Sequence, residues 1–134
     1  MPSRRMFQGV LTLLGVILMG TGTPDIIVGV AALPGSPDAS TTVDSNYRFF
    51  AGVWFTLGIV LLAAVRRPES HGLALRGIFG AVFVGGVARG VSYLAVGAPH
   101  VMHTAFIGVE LLLPPLLLLW YGRLTRTAVP AVTP

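Results

Sequence analysis

Five polar side chains lie within long apolar stretches of this chain, and their types are those that bind ions, protons or polar headgroups: Arg48, Arg89, Tyr93, His103 and Glu110. Glu110 stands near the middle of the apolar residues 101–121. An ionised side chain at the middle of a bilayer costs several kcal/mol or more when it is unpaired. A glutamate at this depth therefore needs a cationic partner, a proton or a water-filled cavity.

Two arginines in other apolar stretches could supply the cation. Counted from the outer ends of their stretches, Arg89 is about 7 residues in and Glu110 about 9, so both lie roughly 10–14 Å deep. Arg48 starts near the outer interface, but its long side chain can reach inward as well as outward to headgroups. We predict a cluster of these three residues in the outer half of the membrane. A salt bridge that only fixes helix packing, or an Arg48 that only reaches headgroups, are the alternatives.

Helical spacing brings two further polar residues to this cluster. Tyr93 follows Arg89 by four residues and ends a row of small residues that is predicted to face a neighbouring helix. That row consists of Gly77, Ala81 and Gly85. His103 precedes Glu110 by seven residues and lies on nearly the same helical face. Pro114 removes the helical bond to the Glu110 carbonyl, and the resulting kink could leave room for water or a ligand.

Enzyme and metal chemistry have little support in the sequence. It contains no nucleophile elbow, no phosphate-binding glycine loop and no paired carboxylates, so no catalytic residue is assigned. The polar set around Glu110 could act as acid and base, but any polar residues in a helical bundle could be described that way. His100 and His103 could share a helical face, yet a metal site usually needs a third or fourth ligand. Neither a metal nor a cofactor is predicted.

The elements that must position these residues are membrane-spanning helices. Hydrophobic residues make up 54% of the 134 residues and charged residues only 10%, against about one quarter charged in soluble domains. The mean hydropathy is +0.81. We predict one all-α domain over residues 1–134, an integral membrane four-helix antiparallel bundle. Its predicted spans are residues 6–22, 46–65, 73–96 and 101–121, with an outer loop at 34–45 and a C-terminal tail at 122–134.

The sequence is compatible with two ends of the first span. Gly20, Gly22 and Pro24 are predicted to break or kink it, and Thr23 followed by Pro24 is typical of a helix start. Residues 24–33 are too few to span alone, so they either extend the first helix past a kink or lie at the outer interface. The basic start and apolar centre also resemble a signal peptide, but the run is long for that and is treated as a retained span.

Arginines set the predicted orientation. All nine cationic residues are arginine, and seven of them fall on one side of the four-span layout. These seven are Arg4, Arg5, Arg66, Arg67, Arg76, Arg123 and Arg126. That side should be cytoplasmic, which places both termini inside a multi-pass protein of the cell membrane. The positive charge is interpreted as topology and attraction to anionic lipids, and no nucleic acid partner is predicted.

Three short motifs resemble a known family. They are NYRFFAG at residues 46–52, GVARGVS at residues 86–92 and GAP at residues 97–99, and Glu110 completes the pattern. Together they resemble an uncharacterised family of small bacterial four-helix integral membrane proteins, a domain of unknown function, similar in layout to DoxX-like membrane proteins. The resemblance implies a membrane bundle of about this size and no established activity. Arg48, Arg89 and Glu110 carry over as pattern positions only.

Two functions follow as hypotheses. In the first, the polar cluster lines an outward-facing pocket that binds a lipid headgroup, a quinone or a small amphiphile. In the second, the protein is an accessory or structural subunit of a larger membrane complex, and the charged residues only fix helix packing. The predicted partners are therefore membrane lipids, together with a small amphiphilic ligand, a membrane protein or a second copy of the chain.

Overall fold

The apolar runs fold into four long helices in the computed structural model, which describes residues 2–35 and 38–127. The helices are α1 (Pro2–Val28), α2 (Thr41–Ala64), α3 (Gly72–Val96) and α4 (Val101–Thr127). Short 3-10 turns at Gly29–Ala32 and Pro68–His71 follow α1 and precede α3. No strand occurs among the described residues. The prediction of an all-α fold with four helices is confirmed.

Each helix is long and apolar enough to cross a membrane. The four candidate spans are between 24 and 30 residues long, whereas about 20 residues suffice for a bilayer core. Within a bilayer a helix satisfies its own backbone hydrogen bonds, which is why this element suits such sequences. Length and composition therefore support a multi-pass membrane protein.

One compact unit, Arg5–Pro68, contains most of α1 together with α2 as an antiparallel hairpin. The two helices approach closely at glycines: a Cβ on Gly15 would lie 2.7 Å from Leu62, and one on Gly58 would lie 2.8 Å from the Gly15 carbonyl oxygen. Near the start of α1, Gln8 donates a 2.7 Å hydrogen bond to the carbonyl of Val65. Pairs of early α1 residues with late α2 residues establish the antiparallel direction.

The second unit contains α3 and α4 with residues 2–4. A Cβ on Gly86 would lie 2.9 Å from the Cβ of Glu110, and one on Gly72 would lie 2.9 Å from the hydroxyl of Tyr121. Because the earlier α3 residue meets the later α4 residue, this hairpin is also antiparallel. The connection between the helices is short, and Gly97 adopts a φ of +100° that favours glycine.

The face of α3 that contacts α4 is not the row of small residues that the spacing suggested. Gly77, Ala81 and Gly85 are exposed, whereas Gly86 is buried against α4. The row does not pack against α4, and its predicted inward orientation otherwise stays a prediction. Neighbouring residues on a helix point about 100° apart, so a shift of one residue from position 85 to position 86 turns a different face toward the partner helix.

The end of α1 also differs from one of the readings of the sequence. α1 continues without interruption through Pro24, so no helix starts at Thr23, and residues 24–28 extend the first helix. A proline within a helix removes only the bond to the carbonyl four residues earlier. Thr21 and Thr23 turn their hydroxyls back onto the helix and donate to carbonyls one turn earlier, at 2.8 Å and 2.7 Å.

Two boundaries lie outside the predicted apolar spans. α2 begins at Thr41, because the side chain of Ser40 accepts a hydrogen bond from the Val43 amide and Asp44 lies in the first turn, near the positive end of the helix dipole. α4 continues to Thr127, so the first part of the predicted tail is helical. Residues 128–134 of that tail, and residues 36 and 37 of the predicted outer loop, lie outside the described residues.

Candidate functional site

The structure brings Arg89 of α3 and Glu110 of α4 together. The Nε atom of Arg89 lies 3.0 Å from Oε2 of Glu110. This approach depends on Gly86, one turn earlier on α3, because any larger residue there would collide with the Glu110 Cβ and backbone. The two partners are unequally buried, with 44% of the Arg89 side chain exposed and only 11% of the Glu110 side chain.

The ion pair leaves donors of Arg89 unused. Glu110 Oε2 is buried and close to Arg89 Nε, yet it has no hydrogen bond of good geometry within residues 2–35 and 38–127. The contact is therefore mainly a charge contact. Among the same residues, the two Nη atoms of Arg89 donate no hydrogen bond. Arg89, whose side chain is half-exposed, thus keeps several N–H groups available to a further partner.

Two prolines follow the buried carboxylate on α4. Pro114 and Pro115 lie inside the helix, which nevertheless runs without a break from Val101 to Thr127. Proline has no N–H, so the carbonyls of Glu110 and Leu111 have no helical donor four residues later. The backbone next to the ion pair is therefore a place where water or a ligand could supply a hydrogen bond.

An open groove begins one helical turn from the ion pair, on the side of the α3–α4 connection. Its volume is about 360 Å³, and its lining residues are Gly90, Tyr93, Leu94, Thr104, Ile107 and Gly108. Tyr93 follows Arg89 by one turn on α3, and Ile107 precedes Glu110 by one turn on α4. A Cβ on Gly90 or Gly108 would meet nothing within 4 Å, so helix packing does not require glycine at either position.

The other predicted residues of the cluster lie in different surroundings. Tyr93 lines the groove and is 40% exposed. His103 packs edge-on against Phe106, with ring centroids 5.9 Å apart, next to the groove residue Thr104. The structure thus brings Arg89, Glu110 and Tyr93 to one part of the hairpin, with His103 about two turns before Glu110.

Arg48 holds the end of α1. Its guanidinium donates to Asp44, to the carbonyls of Ile26 and Ile27 at 2.7 Å each, and to the carbonyl of Val28 at 3.1 Å. The last carbonyls of a helix have no helical donors and carry the negative end of its dipole, so a cation there is favourable. This is a structural role within the α1–α2 hairpin. The contact of Arg48 with Glu110 stays a prediction.

Asp44 completes this helix end and was missed by the sequence reasoning. One oxygen accepts from Arg48 at 2.7 Å, and the other accepts from the Val30 amide at 2.9 Å. Gly29 between them has a φ of +76°, and a Cβ there would lie 2.6 Å from a guanidinium nitrogen of Arg48. The four-residue spacing of Asp44 and Arg48 on a helix was the signal that could have revealed the pair.

Other chemistry is sparse in the described residues. No group of three or more histidine, aspartate or glutamate side chains is placed to hold a metal ion within the described ranges. A second ion pair joins Arg4 to Glu69 at 2.6 Å, but both side chains are about 40% exposed. Such pairs contribute little to stability, so we treat it as a minor anchor of residues 2–4.

Comparison with known proteins gives one match. The profile of a family described as a domain of unknown function, DUF4345, matches residues 6–121. This range covers all the predicted site residues on α2, α3 and α4. No curated protein and no solved structure matches the chain. The match agrees with the expected resemblance to an uncharacterised family, whereas a bacterial source and a DoxX-like layout stay expectations.

Proposed function

The chain belongs to the DUF4345 family, and since that family brings no activity with it, we propose a function from the site: the protein binds a small amphiphile in the groove beside Arg89 and Glu110. The bound molecule is a lipid, a quinone or a similar compound with a polar head and an apolar body. In this proposal the ion pair and Tyr93 contact the polar head, and the apolar body follows the groove between α3 and α4.

The proposed setting is the cytoplasmic membrane of a bacterium, with four spans and both termini inside the cell. This proposal is supported by the length of the four helices and by the seven arginines that fall on one side of the layout. Positive residues are retained on the cytoplasmic side of spans, which is the basis for the orientation. The groove then opens in the half of the membrane that faces outward.

The observation that carries the binding proposal is the half-exposed side chain of Arg89, one helical turn from an open groove. A salt bridge that only fixed helix packing would bury and satisfy both partners, whereas 44% of the Arg89 side chain stays exposed. Charged groups within spans usually face a cavity or a functional partner, because contact with lipid chains is costly. A ligand that accepts hydrogen bonds from Arg89 removes this cost.

Native mass spectrometry of the protein released from nanodiscs tests the proposal. We expect wild type to retain a small molecule that the variant Gly108→Leu loses, because the leucine side chain would fill the groove. Gly85→Leu is the matched control, since a Cβ there also meets nothing within 4 Å but Gly85 does not line the groove. Identical bare protein in all three samples would overturn the proposal.

The second candidate function, an accessory subunit of a membrane complex, has its own support. The exposed row Gly77, Ala81 and Gly85 would allow a helix of another protein to approach α3 closely. The same experiment separates the two functions. A co-purifying membrane protein that is lost in Gly85→Leu and kept in Gly108→Leu would favour the subunit role.

A further inference from the structure

The charges at the groove cancel. Arg89 and Glu110 are the charged residues of this part of the chain, since the sequence holds no other Arg, Lys, Asp or Glu between Arg76 and Arg123. Their side chains lie 3.0 Å apart, one cationic and one anionic. The region that a ligand would enter therefore carries no net charge before binding.

The side-chain hydrogen-bonding groups near the groove are mostly donors. The free carbonyls of Glu110 and Leu111 point toward Pro114 and Pro115, away from the groove. The two Nη atoms of Arg89 provide N–H groups that donate no hydrogen bond among the described residues, and Tyr93, which is 40% exposed, provides an O–H group. Thr104 already donates its hydroxyl to the carbonyl of Pro99. Glu110, the main acceptor, is buried beneath Arg89 and has little surface to offer. A ligand that fits this surface must bring acceptors.

An acceptor can be anionic or neutral, and the charge balance decides between them. An anion that bound Arg89 would have to share the single cation with Glu110, which leaves one uncompensated negative charge within the membrane. Removing such a charge from water is costly. One guanidinium cannot compensate the desolvation of both Glu110 and a bound anion. A carbonyl, ester or ether oxygen accepts the same N–H groups and leaves the ion pair balanced.

We infer that the ligand of this groove is a neutral amphiphile whose polar head carries hydrogen-bond acceptors, such as an ester or a quinone, and not a lipid anion. This inference rests on the proposed binding function. The groove volume of about 360 Å³ lies near the lower end of the range of ligand pockets, about 300–1,000 Å³. It can hold the head or ring of such a molecule, while a longer chain extends into the bilayer.

Two spin-labelled probes that differ only in charge test the inference. The protein is reconstituted in phosphatidylcholine vesicles at pH 9 with nitroxide-labelled stearate, which is then ionised, or with its methyl ester. Electron paramagnetic resonance measures the immobilised fraction of each probe. Only the part of that fraction that is lost in Gly108→Leu is counted, because it belongs to the groove. For wild type we expect a preference for the ester of at least about threefold.

The variant Glu110→Gln provides the decisive comparison. It keeps the size of the side chain and removes its charge, so Arg89 becomes an unbalanced cation. We expect the preference to reverse, with labelled stearate now immobilised more strongly than the ester. Tyr93→Phe, which removes one donor and no charge, should weaken ester binding without reversing the preference. The Tyr93→Phe result would show that the reversal in Glu110→Gln comes from the lost charge and not from altering a polar residue of the site.

The outcomes are distinguishable. If wild type prefers stearate, or if Glu110→Gln keeps the preference for the ester, the inference is wrong while the binding function stands. If neither probe has an immobilised fraction that Gly108→Leu removes, the neutral-ligand inference fails with these probes. Should native mass spectrometry also find no retained molecule, the binding function itself is overturned.

Discussion

The glycines on α3 and α4 differ in whether helix packing requires them, and only their structural surroundings show which ones are required. Gly86 permits the contact with Glu110, because a Cβ there would lie 2.9 Å from the Glu110 Cβ and 3.2 Å from its carbonyl carbon. Gly90 and Gly108 face open space in the groove. One glycine is therefore required by packing, whereas the other two leave room that packing does not use.

We expect the substitution Gly86→Ala to destabilise the α3–α4 hairpin. The added methyl group would force the helices apart next to the ion pair, and overpacking of this kind costs about 1–3 kcal/mol. Unfolding in mixed micelles with increasing denaturing detergent measures the loss. Gly85→Ala is the control, because its methyl group meets nothing within 4 Å and should cause no loss. Equal stability of both variants would contradict the packing role.

At the scale of elements, the end of α1 is fixed by side chains from the first two turns of α2. Arg48 binds three carbonyls of α1, and Asp44 binds both Arg48 and the Val30 amide. Neither residue is adjacent to α1 in sequence. The end of α1 thus obtains its terminal hydrogen bonds from the helix that follows it.

Loss of Asp44 should loosen this helix end locally. In Asp44→Ala the Val30 amide loses its acceptor and Arg48 loses its anionic partner, so we expect faster hydrogen exchange in residues 26–33. Mass spectrometry of exchanged peptides measures the rate. Asp38→Ala removes the same charge from the connection just before α2 and should leave the exchange unchanged. Equal acceleration in both variants would indicate an effect of net charge and not of the cap.

At the scale of the whole molecule, the distribution of arginine predicts an orientation that labelling can measure. The seven arginines of the proposed inner side contrast with an outer side that holds Asp25, Asp38 and Asp44. The chain contains no cysteine, so a single introduced cysteine is its only thiol. Membrane-impermeant thiol reagents can therefore report the side of one residue at a time.

We expect Thr42→Cys to react with an impermeant reagent added to intact cells, because residue 42 lies on the proposed outer side. Ser70→Cys should react only after the membrane is permeabilised, because residue 70 lies in the turn between the proposed second and third spans. Both variants should react fully after permeabilisation, which controls for accessibility. Reaction of Ser70→Cys alone in intact cells would invert the proposed topology.

Much of the fold could be predicted because the lengths of the apolar runs indicate the lengths of the helices. The starts of α3 and α4 were predicted to within one residue, since Gly72 and Val101 follow short polar connections. The proximity of Arg89 and Glu110 followed from their equal depth in antiparallel neighbours. Depth does not fix rotation about a helix axis, so the choice of Gly86 over Gly85 as the contact with α4, and the open groove beside Gly90, could not be derived from spacing.

The surroundings of Arg48 could not be predicted from the sequence for another reason. Depth counting put it within reach of Glu110, but it did not anticipate that α2 begins at Thr41 and turns Asp44 toward the same helix end. The glycine with positive φ at position 29 brings the chain into contact with both side chains. The local turn at Gly29 thus brings Arg48 to its partners, and counting residues along a span could not predict this turn.

The hydrogen bond from Trp120 to Ser3 has a consequence for how the chain is made. The indole nitrogen lies 2.9 Å from the serine hydroxyl, across a separation of 117 residues. During synthesis on the ribosome, Ser3 is made long before Trp120, its hydrogen-bond partner. This contact between the start of α1 and the end of α4 can therefore form only after α1, α2 and α3 have been made.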